Sequence, residues 1–236
     1  MMEKYGLPLV SQGNLFDLLQ DSGIRPWEQT QPPMDLQEYE RGDRTPEERD
    51  ELSRFAPKGQ VVFLRNPKGG VFRGFRSTLR DWASTFALTP EGLLPVVAEY
   101  KHGAHVVSIG LPSGVPARSE MELPNPMALV ARREFEEETG LILESVEGLG
   151  HRYGVVVSSR NNTQKFFAFL GHLQDPVATK PTRHDTTEVL RTLLVPIEEW
   201  LSLLEGKEIP EGYFIEVSAR DATYLALRRL DKLKLT

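Results

Sequence analysis

The stretch that decides the fold is Ala131–Ile142, ARREFEEETGLI. Glu134, Glu136, Glu137 and Glu138 fill four of five consecutive positions. In a helix, like charges three or four residues apart face one another, and each such pair destabilises by roughly 0.2–0.5 kcal/mol. The boundaries still read as a helix: Asn125 can cap its start, Pro126 suits the first turn, and Gly140 can supply a left-handed stop. On that helix Met127, Ala131 and Phe135 share an apolar side. Glu134, Glu137 and Glu138, at i, i+3 and i+4, share another side, and Glu136 points elsewhere. Three carboxylates on one face repel unless something positive lies between them. Mg²⁺ and Mn²⁺ take oxygen ligands and are often held jointly by carboxylates and phosphates. The alternative is a solvated acidic face, partly neutralised by Arg132 and Arg133.

Outward from the helix the pattern is β-type on both sides. Before it come VVFLR (61–65), VFRGFRS (71–77), WASTFAL (82–88), LLPVVAEY (93–100) and HVVSIGL (105–111). NPKGG (66–70) reads as a hairpin turn, and TPEG (89–92) suggests a second hairpin. After it come YGVVVSS (153–159), KFFAFLGHL (165–173) and VLRTLLV (189–195). Two helices close the chain. One begins near Pro196, with Ile197, Trp200, Leu201 and Leu204 at helical spacing and Gly206 as a stop. The other begins near Ser218, with Ala222, Leu225 and Leu230 on one side. Strands, helix, strands, helices is an α+β order, and an α/β/α sandwich with a mixed sheet between helices fits it.

Residues 1–59 read as an N-terminal extension with short helices and little core. NLFDLLQ (14–20) is a short amphipathic helix, and a Pro-rich charged connector follows it. TPEERDELSRFA (45–56) has a capping box in Thr45 and Glu48 with Pro46 at the first helical position, and Leu52 and Phe55 would face inward. Residues 60–236 then form the main domain, beginning with the hairpin.

Composition narrows the function. The chain has 236 residues, 39% of them hydrophobic, and a formal net charge of −6. That charge argues against general nucleic-acid binding, which favours a basic face. It leaves phosphate substrates open, because a bound divalent cation reverses the local field. The absence of cysteine removes disulfides, thiolate nucleophiles and cysteine zinc sites together. No apolar run is long enough to cross a bilayer. MMEKYGLPLV lacks a secretory core, so a cytoplasmic protein is expected. NPKGG lacks the following Lys-Ser/Thr of a P-loop, and the histidines show no zinc-ligand spacing.

REFEEETGL (133–141) resembles the end of the Nudix box, G-x5-E-x7-R-E-U-x-E-E-x-G-U, where U is aliphatic or aromatic. Arg133, Glu134, Phe135, Glu137, Glu138, Gly140 and Leu141 match it. LPSG (111–114) resembles the Leu-Pro-x-Gly that leads into the box in ADP-ribose and nucleotide-sugar pyrophosphatases. AEYKHG (98–103) resembles their strand ending in Gln-Tyr-Arg. The resemblance, to the Nudix hydrolase superfamily and this subgroup of it, runs from about Trp82 to Leu204. The first half of the box departs from the pattern. Asn125 stands at the usual glutamate and Ser119 at the usual glycine. With Gly114 taken as the glycine, the loop VPARSEMELPNP (115–126) is about five residues longer than the pattern. Glu120 and Glu122 are the candidates to replace the missing carboxylate.

The resemblance implies a Nudix fold and a Mg²⁺- or Mn²⁺-dependent pyrophosphohydrolase. Its substrate would be a nucleoside diphosphate linked to another moiety, ADP-ribose-like or a nucleotide sugar. It implies Glu134, Glu137 and Glu138 as metal ligands, the Ser113 carbonyl as a further ligand, and Arg133 as the residue that orients a glutamate. Related enzymes use a glutamate after the box to bind metal or activate water. Glu188, in RHDTTEVL (183–190), is the best match, with His184 and Asp185 behind it. Arg160, in SSRNN (158–162), lies where relatives place a substrate loop, although an ordinary hairpin turn also fits. Glu99, Tyr100 and Lys101 would approach the nucleotide, with plain packing the other reading of Tyr100. Relatives often dimerise through N-terminal strands, and the hairpin Val61–Ser77 could do so here. A non-catalytic Nudix module that senses a nucleotide, or a scaffold with a vestigial box, are the alternatives.

Overall fold

The computed structural model describes residues 3–11, 13–27, 36–55, 58–65, 68, 70–101, 104–150, 152–157, 162–183, 189–206 and 208–232. Within these, the side chains of 36–38, 51–55, 58, 64 and 72 lie outside the description, Leu52 and Phe55 among them. In chain order the elements are β1 (Glu3–Lys4), β2 (Leu7–Pro8), α1 (Leu15–Asp21), α2 (Leu36–Arg41), α3 (Pro46–Phe55), β3 (Lys58–Arg65) and β4 (Val71–Thr78). There follow β5 (Trp82–Phe86), β6 (Leu93–Lys101), β7 (Val106–Gly110), β8 (Ser113–Gly114), a 3-10 turn (Glu120–Glu122) and α4 (Pro126–Thr139). The chain continues through β9 (Leu143–Leu149), β10 (Val155–Val156), β11 (Lys165–Leu173), β12 (Leu190–Pro196), α5 (Ile197–Leu204), β13 (Tyr213–Ile215) and α6 (Val217–Arg229). The fold is a mixed α+β one, as the pattern predicts.

By contacts the chain forms two compact units, one of residues 1–27, 81–155 and 165–236, the other of residues 28–80 and 156–164. The first unit carries two mixed sheets rather than one. In one sheet β5 pairs in parallel with β11 and antiparallel with β8, and β9 lies antiparallel on β11. The other runs β12-β6-β7-β13, antiparallel except for the parallel β7–β13 pair. This corrects the reading of TPEG. The turn is tight, with Gly92 N donating to Thr89 O at 2.9 Å. Yet β5 and β6 leave it for different sheets, because each finds its ladder with strands distant in sequence.

The main core packs Phe86, Leu94, Ile109, Leu193 and Trp200, all almost fully buried. Val10, Leu15, Leu19 and Ile24 belong to the same core. The early segment is therefore not devoid of core, contrary to the reading of residues 1–59 as poor in it. Leu15, Leu18 and Leu19 sit at helical spacing, so even two turns of α1 present one continuous apolar side. The second unit contains the antiparallel hairpin β3–β4, with Val61 opposite Phe75 and Phe63 opposite Arg73. The capping box at the start of α3 is formed: Glu48 N donates to Thr45 Oγ1 at 3.2 Å and Thr45 N to Glu48 Oε2 at 2.8 Å.

Two hydrogen bonds, from Thr85 Oγ1 and Thr192 Oγ1, fix α4 against the sheets, and a third, from Thr85 N, ties β5 to the turn before β8. Thr85 Oγ1 on β5 donates to Ala131 O at 2.9 Å. Thr192 Oγ1 on β12 donates to Glu138 O at 2.7 Å, and Thr85 N donates to Pro112 O at 2.9 Å. Among the described residues no helix is long and apolar enough to cross a membrane.

Candidate active site

The α4 helix runs 126–139 and stops at Gly140, whose φ of 71° is left-handed as predicted. Met127, Ala131 and Phe135 are buried in core, as their spacing requires. Asn125 departs from expectation. It takes a left-handed conformation, φ 54°, and its side chain makes no capping hydrogen bond.

Arg133 organises the acidic face. Its Nη1 lies 2.8 Å from Glu134 Oε1 and 3.0 Å from Glu137 Oε2. Its Nε donates to Glu120 Oε1 at 2.7 Å, and its Nη2 to Glu120 Oε2 at 3.0 Å and to Val115 O at 3.2 Å. A guanidinium has five N–H groups, and five oxygens face this one. Arg133 therefore has no donor left over, which suits orientation of glutamates rather than contact with a ligand. Glu120, from the 3-10 turn of the long loop, also accepts from Ala117 N at 2.7 Å. The Arg133 guanidinium beside it holds its carboxyl below the usual range, against the opposing effect of burial. Of the two loop carboxylates, Glu120 makes the contact, and Glu122 is exposed.

The other glutamates separate by role. Glu134 lies directly over Gly114, where a β-carbon would fall 2.1 Å from its carboxyl carbon. Only glycine leaves that space. Glu138, 9% exposed, accepts from Ser113 N at 3.0 Å, so β8 meets α4 through the two positions the sequence pairs as ligands. Glu136 points away as predicted, to Arg132 Nε at 3.0 Å, Lys180 Nζ at 2.7 Å and Leu143 N at 3.2 Å. Burial pushes its carboxyl up, but these partners outweigh that and hold it below the usual value.

The donor chemistry suits a hard divalent cation: three carboxylates with the Ser113 backbone alongside. Glu134 and Glu137 already share one cationic nitrogen, and Gly114 makes room for the first of them. Among the described residues, no three acidic or histidine side chains close into a finished cage. Glu138 is turned to Ser113, and the other two to Arg133.

A polar row borders this face. Lys101, at the end of β6, forms an ion pair with Glu99 two residues earlier. Tyr100 points the opposite way into core, stacked under Trp27 with ring centroids 4.5 Å apart, its hydroxyl 2.5 Å from His105 Nδ1. That is the packing reading of Tyr100. Glu188, Arg160, His184 and Asp185 lie outside the described residues. The residues that flank Glu188 are placed: Arg183 N donates to Glu137 O at 2.7 Å, and Leu190 stands opposite Glu99 in the β12–β6 ladder. A cleft of about 480 Å³ opens beside the start of α4, between Met121, Met127, Val146, Phe167 and Phe169. It is on the β9–β11 side, away from the glutamates that face β8.

No family model matches the sequence, and no curated protein matches it. A solved structure described as an ADP compounds hydrolase is similar, with a TM-score of 0.58 and 16% identity. The likeness covers 76% of this chain and 90% of that one. It establishes the fold: a mixed α+β arrangement of sheets and helices shared with that structure.

Proposed function

We propose that this chain is a metal-dependent pyrophosphohydrolase of Nudix type, cleaving a nucleoside diphosphate linked to another moiety, ADP-ribose-like or a nucleotide sugar. The observation that carries the reading is the Arg133 cluster. One guanidinium gathers Glu134 and Glu137, and the loop that supplies Glu120 also leads from Ser113, which holds Glu138. The fold likeness to a hydrolase of ADP compounds supports it.

Glu134, Glu137 and Glu138 would hold Mg²⁺ or Mn²⁺, with the Ser113 carbonyl as a further ligand. A bound divalent cation neutralises phosphate charge and lowers the pKa of water. Arg133 sets the angles of Glu134 and Glu137 and is itself fixed by Glu120. Lys101 offers an ammonium to a phosphate oxygen. In this reading Glu188 takes the proton of the attacking water or adds a ligand; Arg183, which precedes its segment, donates its N to Glu137 O. Arg160 is the further candidate for a phosphate contact.

The same reading places the protein in the cytoplasm as a homodimer. One face of the β3–β4 hairpin exposes Val61, Phe63, Val71 and Phe75, Phe63 and Phe75 by 71% and 72%. An apolar strand face of this kind suits a second copy. The glutamates of the proposed site lie in the unit of residues 1–27, 81–155 and 165–236.

A screen of the full chain with Mg²⁺ or Mn²⁺ against ADP-ribose, nucleotide sugars, dinucleotides and nucleoside triphosphates tests the proposal. Release of a nucleoside monophosphate from a diphosphate-linked substrate is expected. Nucleotide binding with no metal-dependent turnover of any of them would favour a sensor instead.

A further inference from the structure

Glu216 lies between β13 and α6, a position with no counterpart in the box. A carboxylate at the start of a helix ordinarily takes the free N–H groups of the first turn. Glu216 takes none of them. Its Oε1 accepts from Ser108 Oγ at 2.7 Å and its Oε2 from Ser218 Oγ at 3.1 Å, both serines being buried. Its backbone N donates to Ile109 O at 3.1 Å, which locks the residue onto β7. A β-carbon on Gly110 would come within 3.3 Å of Oε2, so the side chain lies flat across the end of that strand.

Ser108 stands opposite Glu99 in the β6–β7 ladder. Facing residues of an antiparallel pair lie about 5 Å apart. Glu99 holds Lys101, and Ser108 holds Glu216, so both carboxylates lie on the face of the sheet that carries Lys101. Three residues beyond Gly110, Ser113 N meets Glu138. Burial opposes the charge on Lys101, yet Glu99 first, then Glu216 and Glu138, outweigh it and keep the ammonium charged.

We propose that Glu216 is a positioning residue that acts with Glu99 to hold Lys101 beside Glu138, where its ammonium meets the diphosphate of a nucleotide substrate. The inference rests on the pyrophosphohydrolase reading and adds to it a residue from the C-terminal helix. Glu216 touches no substrate; it fixes where a flexible side chain ends. A lysine held in advance loses less rotamer entropy on binding an anion.

A double-mutant cycle on the full chain tests this, with ADP-ribose and UDP-glucose as probes at saturating Mg²⁺. Lys101→Met should raise KM about tenfold with a smaller change in kcat. Glu216→Gln should raise KM severalfold, Glu216→Asp should recover part of the loss, and the double variant should be no worse than Lys101→Met alone. If Glu216→Gln does not fold, Ser108→Ala, which frees one Glu216 oxygen, serves in its place with the same expected non-additivity. An unchanged KM in Glu216→Gln, or effects that multiply independently, would overturn the inference and leave the hydrolase reading standing. A folded wild type that cleaves neither probe would overturn the inference together with that reading for these substrates.

Discussion

Arg133 and Glu120 are joined by two hydrogen bonds, Nε to Oε1 at 2.7 Å and Nη2 to Oε2 at 3.0 Å. The pattern that Arg133 belongs to expects a carboxylate at position 125, where this chain has asparagine. In the structure the carboxylate that meets Arg133 from the longer loop after Val115 is Glu120. The longer loop folds a 3-10 turn, Glu120–Glu122, back onto Arg133 of the helix.

Glu120→Gln should therefore damage the site as well as the fold. A hydrogen bond to a charged group contributes about 1.5–3 kcal/mol, and a loss near the lower end is expected because the pair is only partly buried. Turnover should fall at least tenfold as Arg133 loosens. Glu122→Gln, at an exposed carboxylate, should change neither quantity. Thermal melts and steady-state rates on both variants check this, and equal effects from the two would remove the special role of Glu120.

Gly114→Ala separates activity from stability. The new methyl would lie 2.1 Å from the Glu134 carboxyl carbon. A glutamate end can swing aside cheaply, so the melting temperature should move by only a few degrees. Turnover should drop by more than tenfold, because Glu134 has left its place. A variant with wild-type turnover would mean that the position of Glu134 is immaterial.

Acid should weaken the fold in a defined window. Glu120 and Glu136 both lie below their ordinary value of 4.5 in the folded chain. The folded state thus prefers the deprotonated forms. Their stabilisation is complete above about pH 4.5 and is lost as the pH falls through the folded values. A melting series from pH 7 to pH 3 should decline below 4.5, and Glu120→Gln should make that decline shallower. An identical acid limb in the variant would contradict the assignment.

The hairpin face gives an independent test of assembly. Phe63→Glu with Phe75→Glu should convert a dimer to a monomer in sedimentation, since two charges would enter an apolar contact. A wild-type chain that sediments as a monomer would remove the proposed interface.

The parts of the site legible in the sequence are those encoded locally. The ends of α4, its buried stripe through Phe135, the outward turn of Glu136 and the Thr45–Glu48 capping box all follow from spacing within a few residues. The left-handed Asn125 was not legible, because a residue that commonly caps gives no sign of when it will not. The choice of Glu120 over Glu122 depends on how the loop folds back, which spacing does not fix. Glu216 carries no local signal, because its partners Ser108 and Ile109 are brought to it by the β7–β13 pairing across a hundred residues. The core role of α1 is written in Leu15, Leu18 and Leu19, which repeat at i, i+3 and i+4, but a run of two turns beside a Pro-rich connector does not say which core it joins.

The central claim is that the acidic face of α4 works as a metal-binding catalytic surface. Glu138→Gln tests it most directly, since it keeps the shape of the side chain and its bond to Ser113 N while removing the charge. Measured at saturating Mg²⁺ on the best substrate of the screen, with folding verified by circular dichroism, turnover should fall by at least a hundredfold. A folded Glu138→Gln variant that turns over at the wild-type rate would contradict the account.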